Sequence, residues 1–514
     1  MGKEIYKMLS TTEIKSLINN DINSEKKKFA AIGQKYYEAK HDIMKCRLFY
    51  YNADGKLVED TMRSNIKISH PFFKELSDQL SSYMLSFNDN PIRAKENVEG
   101  LQEHLDTYFD EEFWYEIDEL ITGTYNKGFE YLYAFKNTED RLSFQCADSM
   151  GVVEVREQDT DDGCKYIIYH YPDRIDKGKK VIRRIQVWTE KETYYYVQVG
   201  NGAVKEDTSI NINPRPHVVF TDEKTGQKMG YPLGYIPFWR LDNNKKQVSG
   251  LKPIKGLIDD YDLHACSLSN NLKDFDTPLH VVKGFEGDNL DELQTNLKTK
   301  KMVGVDEGGG IDVQTIDIPY QARKEKLDID EKNIYRFGMG LNTLGLKDTS
   351  ATTNIAIKAA YSLLELKANK LEKRLKKLLK EIIKVVLAEI NQANNTDYQL
   401  SDIMFEFEHN IMVNETENIA NEFSIAQKEQ VEINTLLNLQ GLVDDETILR
   451  QVCDVLDIDF EDLELLEQED MDMESVQAEL DAVPTEEDGI SDDEKATQDS
   501  VIAMLEELLE GVDA

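Results

Sequence analysis

The longest helical pattern in this sequence, residues 355–391, constrains the fold more than any other feature. Apolar side chains recur there at spacings of three and four residues, with no intervening Pro or Gly, at Leu364, Ala368, Leu371, Leu375, Leu378, Ile382 and Val385. At 1.5 Å per residue, such a helix is about 55 Å long. The chain is therefore expected to contain one rod-like helix against which other elements pack.

A second helical pattern, residues 251–275, is followed by a small insert and another helix. Its apolar positions alternate between steps of four and three, at Ile254, Ile258, Tyr261, Ala265, Leu268, Leu272 and Phe275. Residues 278–319 then carry the strand-like runs LHVVKGF, KMVGV and IDVQTIDI and a predicted turn at Gly308-Gly309-Gly310. Pro319 predicts the start of the next helix, which should run to about Arg336, because Pro is well tolerated at a helix N-terminus.

The first half of the chain predicts helices and then a sheet. Ser10 and Glu13 have capping-box spacing ahead of the apolar positions Ile14, Leu17 and Ile18. Further helices are expected near 24–44, 71–87 and 101–127. Between 130 and 240, runs such as YLYAF and YIIYHY alternate with Asp, Gly and Lys clusters, which is typical of strands and turns. With a strand-like segment at 403–413 and two helices ending near Leu456, the predicted fold class is α+β and helix-rich.

Length and composition set further limits. A chain of 514 residues should divide into about three packed units, and its hydrophobic share of 40% is enough to build cores. No run approaches the ~18 apolar residues that span a bilayer, and the N-terminus lacks the apolar core of a signal peptide. We therefore expect a soluble chain made in a cytoplasm, with no membrane partner. The widely spaced cysteines, without a CxxC pair, favour buried reduced thiols; they are Cys46, Cys146, Cys164, Cys266 and Cys453.

The net charge of −38 is unevenly distributed. Residues 457–514 contain 23 acidic residues and one Lys, so more than half of the acidity belongs to this C-terminal tail. Such a tail is interpreted either as a partly disordered solubilising extension or as a docking or DNA-mimicking segment. The last apolar run, SVIAMLEELLEGV, has the spacing of a short docking helix.

The search for catalytic motifs predicts a protein that is not an enzyme. The sequence contains no GxxxxGK[ST], HExxH or GxSxG motif, which disfavours an ATP-driven motor, and its eight His have no metal-ligand spacing. No cofactor or metal is expected. The basic side chains of the long helix leave two interpretations open, a solvated or ion-paired face, or a face that contacts phosphate or an acidic neighbouring subunit; they are Lys367, Lys370, Lys373, Arg374, Lys376, Lys377, Lys380 and Lys384.

Several segments resemble the portal proteins of long-tailed double-stranded DNA phages that infect Gram-positive bacteria. They are YYEAKHDI (36–43), NIKISHPFFKELSDQLSSYMLSFNDNPI (65–92), GTYNKGFEYLYAF (123–135) and GYIPFWRLDNNKKQVSGLKPIKGLIDDYDLHACSLSNNLKDF (234–275). The order that follows, a small insert, a second helix, a Ser/Thr/Gly loop and a very long helix, is also similar. The resemblance covers roughly residues 30–440 and depends on this combination, because no single motif is diagnostic.

The resemblance implies a phage portal fold that assembles into a ring. Its parts would be a wing (1–250 and 355–413), two stem helices (251–275 and 320–342) with a clip between them (276–319), a tunnel loop (343–354) and a crown (414–456). The resemblance does not cover residues 457–514, whose composition alone predicts a disordered acidic tail. The tunnel loop would line a DNA channel with Lys347, Asp348, Thr349, Ser350, Thr352, Thr353 and Asn354. A surface connection without contact to DNA remains the alternative for this loop.

The implied function is that of a ring, a dodecamer in the virion, at one capsid vertex. It would pass double-stranded DNA without reading its sequence, dock the terminase large subunit, nucleate head assembly with major capsid and scaffolding proteins, and later join a head–tail adaptor. Assembly would take place in the host bacterial cytoplasm. Two alternatives stay open: a head–tail adaptor or other capsid-associated structural protein, which the helix pair around a small insert disfavours, and a metal-dependent nuclease hidden among the carboxylates.

Overall fold

The computed structural model describes residues 9–95, 98, 100–137, 140–156, 164–176, 180–221, 228–274, 279–285, 289, 291, 293, 305–314, 319–342, 354–407, 409, 428, 430–431, 433–436, 447 and 450–452. The chain divides into two compact units, Met1–Glu417 and Asn418–Ala514. In the second unit, the described residues between 428 and 452 are helical. The predicted tail and most of the predicted crown lie outside the described residues.

The helices of the first unit are α1 (Thr11–Ile22), α2 (Glu25–Tyr37), α3 (Phe72–Met84), α4 (Leu101–Tyr108), α5 (Glu111–Lys127), α6 (Lys255–Asp274), α7 (Tyr320–Gly338) and α8 (Asn354–Asn394). Short 3-10 turns lie at Asp42–Lys45, Ser149–Gly151 and Leu400–Asp402.

The strands are β1 (Phe49–Tyr51), β2 (Leu57–Glu59), β3 (Ile92–Ala94), β4 (Phe129–Lys136), β5 (Leu142–Ala147), β6 (Val152–Val155), β7 (Tyr166–Asp176), β8 (Lys180–Trp188), β9 (Glu192–Val199), β10 (Val204–Glu206), β11 (Arg215–Pro216), β12 (Val218–Thr221), β13 (Lys228–Tyr231), β14 (Phe238–Asp242), β15 (Leu279–Phe285), β16 (Val305–Gln314) and β17 (Ile403–Phe405). The predicted mixture of helix and strand is confirmed. The segment predicted as a strand over 403–413 forms a strand only at β17; residues 408 and 410–413 lie outside the described part.

Local sequence explains where several helices begin and end. Helix α1 starts with the predicted capping box, in which Ser10 Oγ accepts from Glu13 N–H at 3.3 Å and Glu13 Oε2 accepts from Ser10 N–H at 2.7 Å. The helix expected near 24–44 stops at Tyr37, because Ala39 has a φ of 55° and turns the chain out of the helix.

The predicted helix 101–127 is instead two helices. The chain breaks at residues 109–110, and the Asp110 side chain accepts from Phe113 N–H at 3.0 Å as the N-cap of α5. An Asp that can cap a new helix thus interrupts a pattern that is otherwise continuous.

The main core lies among α3, α5 and α8 and one face of the three-stranded sheet β14-β4-β5. The predicted apolar positions of α8 are buried, except for Val385, which is half-buried. They meet Leu76 and Leu80 of α3 and Ile117 and Leu120 of α5. Full burial of one such side chain stabilises the fold by roughly 1.5–3 kcal/mol, so the long helix is held mainly by apolar packing.

The predicted mid-chain sheet is confirmed as an antiparallel sheet with the strand path β10-β9-β8-β7-β6, and β11 pairs with β9. Helix α1 covers one of its faces with Ile14 and Ile18, against Ile168, Ile185 and Val187. A third cluster, which includes Phe129, Trp188 and Phe238, connects this sheet to β14-β4-β5.

Among the described residues of the insert between α6 and α7, β15 and β16 pair as an antiparallel hairpin. The prediction of a turn at Gly308-Gly309-Gly310 is wrong, because these glycines lie within β16 and Gly310 pairs with Lys283. Gly308 has a φ of 91°, and the register is irregular between Lys283 and Phe285. Glycine here permits an irregular strand and does not reverse the chain.

The cysteines within the described ranges are free thiols, as predicted. Only Cys266 of these is buried; Cys46, Cys146 and Cys164 are half-buried. Cys453 lies outside the described residues. The helices described contain none that is both long and apolar enough to cross a bilayer.

Candidate functional site

The predicted channel-lining residues fall almost entirely outside the described part of the chain. Lys347, Asp348, Thr349, Ser350, Thr352 and Thr353 are not described, and Asn354 is described only as the first residue of α8. Helices α7 and α8, which flank this loop in the chain, are described, as are the residues that pack against them. These residues define the candidate site.

Helices α6 and α7 pack side by side and are joined by an ion pair. Lys326 Nζ of α7 lies 2.6 Å from Asp260 Oδ2 of α6 and 2.5 Å from the buried Asp330 one turn further along α7. Lys326 Nζ donates hydrogen bonds to both carboxylates, and these bonds raise the pKa of Lys326. The lysine therefore remains charged at neutral pH and fixes the two helices relative to each other.

A buried carboxylate secures the first half of α6 to the N-terminal region. Asp262 is inaccessible to solvent, and its oxygens lie 2.6 Å from His41 Nδ1 and 2.7 Å from His70 Nδ1. His70 N–H donates to the same carboxylate at 2.9 Å. Burial alone would raise the pKa of Asp262, but the hydrogen bonds from His41 and His70 outweigh it and lower that pKa.

Residues 64–70 form an extended strap along α6. Every second backbone N–H of the strap donates to a side chain of α6, and the acceptors are spaced four residues apart along the helix. The pairs are Ser64–Asp274, Ile66–Asn270, Ile68–Cys266 and His70–Asp262. Two extended residues advance about 6.6 Å and four helical residues about 6 Å, so the two repeats match. The strap reinforces α6 over three turns.

Hydrogen bonds hold the backbone at residues 339–341, where the chain leaves α7. Met339 has a φ of 53° and ends the helix, and Gly340 N–H donates to Tyr335 O at 3.0 Å. Gln79 of α3 then holds Leu341 at both backbone groups, at 2.9 and 3.0 Å. A Cβ at Gly340 would overlap the side chain of Leu76. The start of the loop is therefore bound firmly to α3.

Lys367 of α8 supports the same point from the other side. Its Nζ donates to Gly338 O at 3.1 Å and to Leu76 O at 3.4 Å, and it lies 4.7 Å from the centre of the Tyr125 ring. A cation at the C-terminal carbonyls of α7 is favoured by the helix dipole. Burial lowers the pKa of Lys367 to about 7.

The other basic side chains of α8 mostly fit a solvated or ion-paired face. Lys376 lies 2.5 Å from Glu372, and Lys384 lies 2.8 Å from Glu381. Five of the predicted set are exposed, namely Lys370, Lys373, Lys377, Lys380 and Lys384. Whether this face contacts phosphate or a neighbouring subunit stays a prediction.

Sequence reasoning missed the Asp262 cluster and the internal role of Lys367. His41 and His70 precede Asp262 by 221 and 192 residues in the chain, and each of the three is an ordinary polar residue in its local pattern. Lys367 does lie one residue before the buried Ala368, next to the apolar stripe. Lys370, Lys377 and Lys384 also directly precede positions of this stripe and are exposed, so the local pattern does not separate Lys367 from the surface lysines. Among the described residues, no group of three or more His, Cys, Asp or Glu is placed to hold a metal ion.

Known portal proteins are similar to this chain. The portal protein of Bacillus phage SPP1 is 27% identical over 345 residues, which cover 67% of this chain and 66% of that protein. The match thus spans just under two thirds of the SPP1 protein. The portal protein of Clostridium phage phiCD119 is 26% identical over 404 residues, covering 74% of this chain and 82% of that protein.

Among solved structures, a chain from the neck of a native GTA particle computed with C12 symmetry is similar, with a TM-score of 0.38 and 10% identity over 74% of this chain and 89% of that chain. The family described as "Phage portal protein, SPP1 Gp6-like" matches residues 18–475, which extends beyond the expected 30–440 at both ends. The resemblance inferred from the sequence is thereby confirmed, and the chain belongs to the SPP1 Gp6-like family of phage portal proteins.

Proposed function

We propose that copies of this chain form the portal ring of a tailed double-stranded DNA phage, a dodecamer at one capsid vertex, assembled in the host cytoplasm. The observation that carries the proposal is the family match over residues 18–475, which includes the α6–α7 pair and its hairpin. Membership of a structural family also supports a role without catalysis.

The uneven exposure of the two stem helices, α6 and α7, supports a ring. Ile254 and Ile258 at the start of the α6 stripe are buried, whereas Leu272 near its end is 51% exposed. On α7, Ile329 and Phe337 are also more than half exposed. Exposed apolar side chains on one pair of helices are a feature of interaction sites, and a ring places different faces of neighbouring copies against each other. In the proposed ring these side chains are covered by adjacent subunits.

The charge of the chain suits a conduit for DNA better than a tight clamp. Phosphate affinity comes from clustered Lys and Arg and falls with salt, and this chain has a net charge of −38. In the proposed ring, Lys347 of the tunnel loop is repeated once per subunit and forms a local basic belt. DNA then meets weak, sequence-independent attraction there and repulsion along most of the channel.

The hairpin β15–β16 is the proposed docking element for the terminase large subunit and later for the head–tail adaptor. Its side chains Ile311 and Val313 are exposed, and Lys283 pairs with Asp312 at the surface at 3.0 Å. Isolated two-stranded hairpins are marginally stable in water, so contacts with other chains should stabilise it. Major capsid and scaffolding proteins are the proposed partners of the ring during head assembly.

A packaging assay tests the proposal. Empty heads assembled with this chain should package double-stranded DNA when terminase and ATP are added, and heads assembled without it should package none. Equal packaging by heads with and without the chain would contradict the proposed function.

A further inference from the structure

A well-formed hairpin near the N-terminus exposes apolar side chains on both faces. Strands β1 and β2 pair with Tyr50 opposite Val58 and Tyr51 opposite Leu57. All six strand residues are exposed, Tyr51 by 74%, and the nearby Met62 by 93%. The surface is therefore apolar where a solvent-facing hairpin is normally polar.

The turn of this hairpin is built for a defined conformation. Asn52 Oδ1 accepts from Asp54 N–H at 3.1 Å and from Lys56 N–H at 2.9 Å, and Gly55 has a φ of 73°. Asn and Gly are the residues that such turns require. A hairpin with a specific turn and an uncovered apolar surface is only marginally stable by itself, so it should be completed by another surface.

The strap attaches this hairpin to the far end of α6. Ser64, which follows the hairpin, binds Asp274 at the last residue of α6, and Asn65 Nδ2 donates to Cys46 O, which precedes it, at 3.3 Å. The hairpin is thus anchored beside the end of the stem where Leu272 is exposed. Its apolar surface lies next to the stem surface that the proposed ring would cover.

The charge of this segment also differs from that of the chain. Residues 45–67 contain five Lys or Arg and three Asp or Glu, in a protein whose net charge is −38. A slightly basic segment is attracted to an acidic surface, and α6 of a second copy offers one, with four Asp against two Lys.

We propose that the β1–β2 hairpin is an intersubunit arm that packs on the stem helices, α6 and α7, of the adjacent copy. This inference rests on the proposed ring and names the contact that closes it. The arm's apolar side chains Phe49, Tyr51 and Leu57, which share one face, cover exposed apolar side chains of the neighbouring stem.

Two variants of the full-length protein distinguish this contact from nonspecific apolar association. Phe49→Ser/Tyr51→Ser/Leu57→Ser should leave the subunit folded by circular dichroism and raise the concentration needed for half-assembly into rings at least tenfold. The matched control is Val219→Ser/Phe220→Ser/Met229→Ser in the exposed hairpin β12–β13, which should assemble like the wild type.

A second measurement does not depend on the folding of the serine variant. A photo-crosslinking phenylalanine analogue at Tyr51 in purified protein should give crosslinks between two copies that map to residues 255–274 or 320–338. Crosslinks confined to one chain or to other regions, or unchanged assembly of the triple variant, would overturn the arm. If the control variant also loses rings, crosslinks from Tyr51 to residues 255–274 or 320–338 of a second copy support the arm, and crosslinks elsewhere overturn it. Absence of rings from the wild-type protein would instead contradict the proposed function.

Discussion

Lys367 is a lysine of a basic helix whose side chain binds backbone carbonyl groups inside the protein. Five of the other basic side chains on α8 are exposed, whereas Lys367 joins the end of α7 to α3 near the start of the proposed tunnel loop. Because burial lowers its pKa to about 7, this lysine releases its proton on folding between pH 7 and its ordinary pKa of 10.5. Folding is therefore favoured as pH rises through this window and is disfavoured below it.

Replacing Lys367 should reveal this linkage. We expect the melting temperature of the wild type, relative to that of Lys367→Met, to be higher at pH 9 than at pH 6.5, as measured by scanning fluorimetry. Lys373→Met, at an exposed position of the same helix, is the control for the loss of one lysine. A difference between wild type and Lys367→Met that stays constant or falls as pH rises would contradict the assignment.

Lys347 is the residue on which the proposed channel contact depends. Lys347→Glu should leave ring assembly unchanged, because a loop charge contributes little to folding, and it should reduce packaged DNA. The defect should shrink as salt rises, since exposed charges are screened within about 10 Å at 0.1 M. Lys205→Glu, on an exposed edge strand, should package normally. Normal packaging by assembled Lys347→Glu rings at low and moderate salt would remove this residue from the channel.

For single residues, the sequence could predict features that depend on residues nearby in the chain. The capping box of Ser10 and Glu13 and the buried stripe of α8 follow from spacings of three and four residues. The Asp262 cluster could not be predicted, because a buried carboxylate that accepts from two distant histidines depends on how α6 packs against the N-terminal region. The channel residues themselves remain a prediction.

Among the elements, the hairpin β15–β16 is the one whose role is most open to test. Replacing residues 280–316 by a short linker should abolish binding of the terminase large subunit to purified rings, measured by biolayer interferometry. The α6–α7 ion pair of Lys326 lies outside the deletion and should keep the stem intact. Unchanged terminase binding or unchanged packaging by the deletion would show that the docking surface lies elsewhere.

The sequence predicted element boundaries well where an apolar repeat continued over many residues. It predicted them less well where a single residue set the boundary. The long helix was expected at 355–391 and occupies Asn354–Asn394. Asp110 and the glycines of β16 misled the interpretation for opposite reasons. Asp110 caps a new helix inside a continuous apolar pattern, whereas Gly308, with a φ of 91°, lies inside β16 without ending it.

The whole molecule combines an acidic chain, an incompletely covered pair of helices, α6 and α7, and membership of a portal protein family. The acidity is awkward for a protein that holds DNA tightly, and it suits one through which DNA must slide. The exposed apolar side chains of α6, α7 and the β1–β2 hairpin are awkward for a monomer, and they suit a closed ring in which each copy covers the next.

Electron microscopy of the purified full-length protein shows whether copies of this chain form a closed ring. Negatively stained particles should be rings of about twelve subunits with a central hole wide enough for a DNA duplex. Monomers, filaments or closed particles without a hole, under conditions in which the protein is folded, would contradict the account.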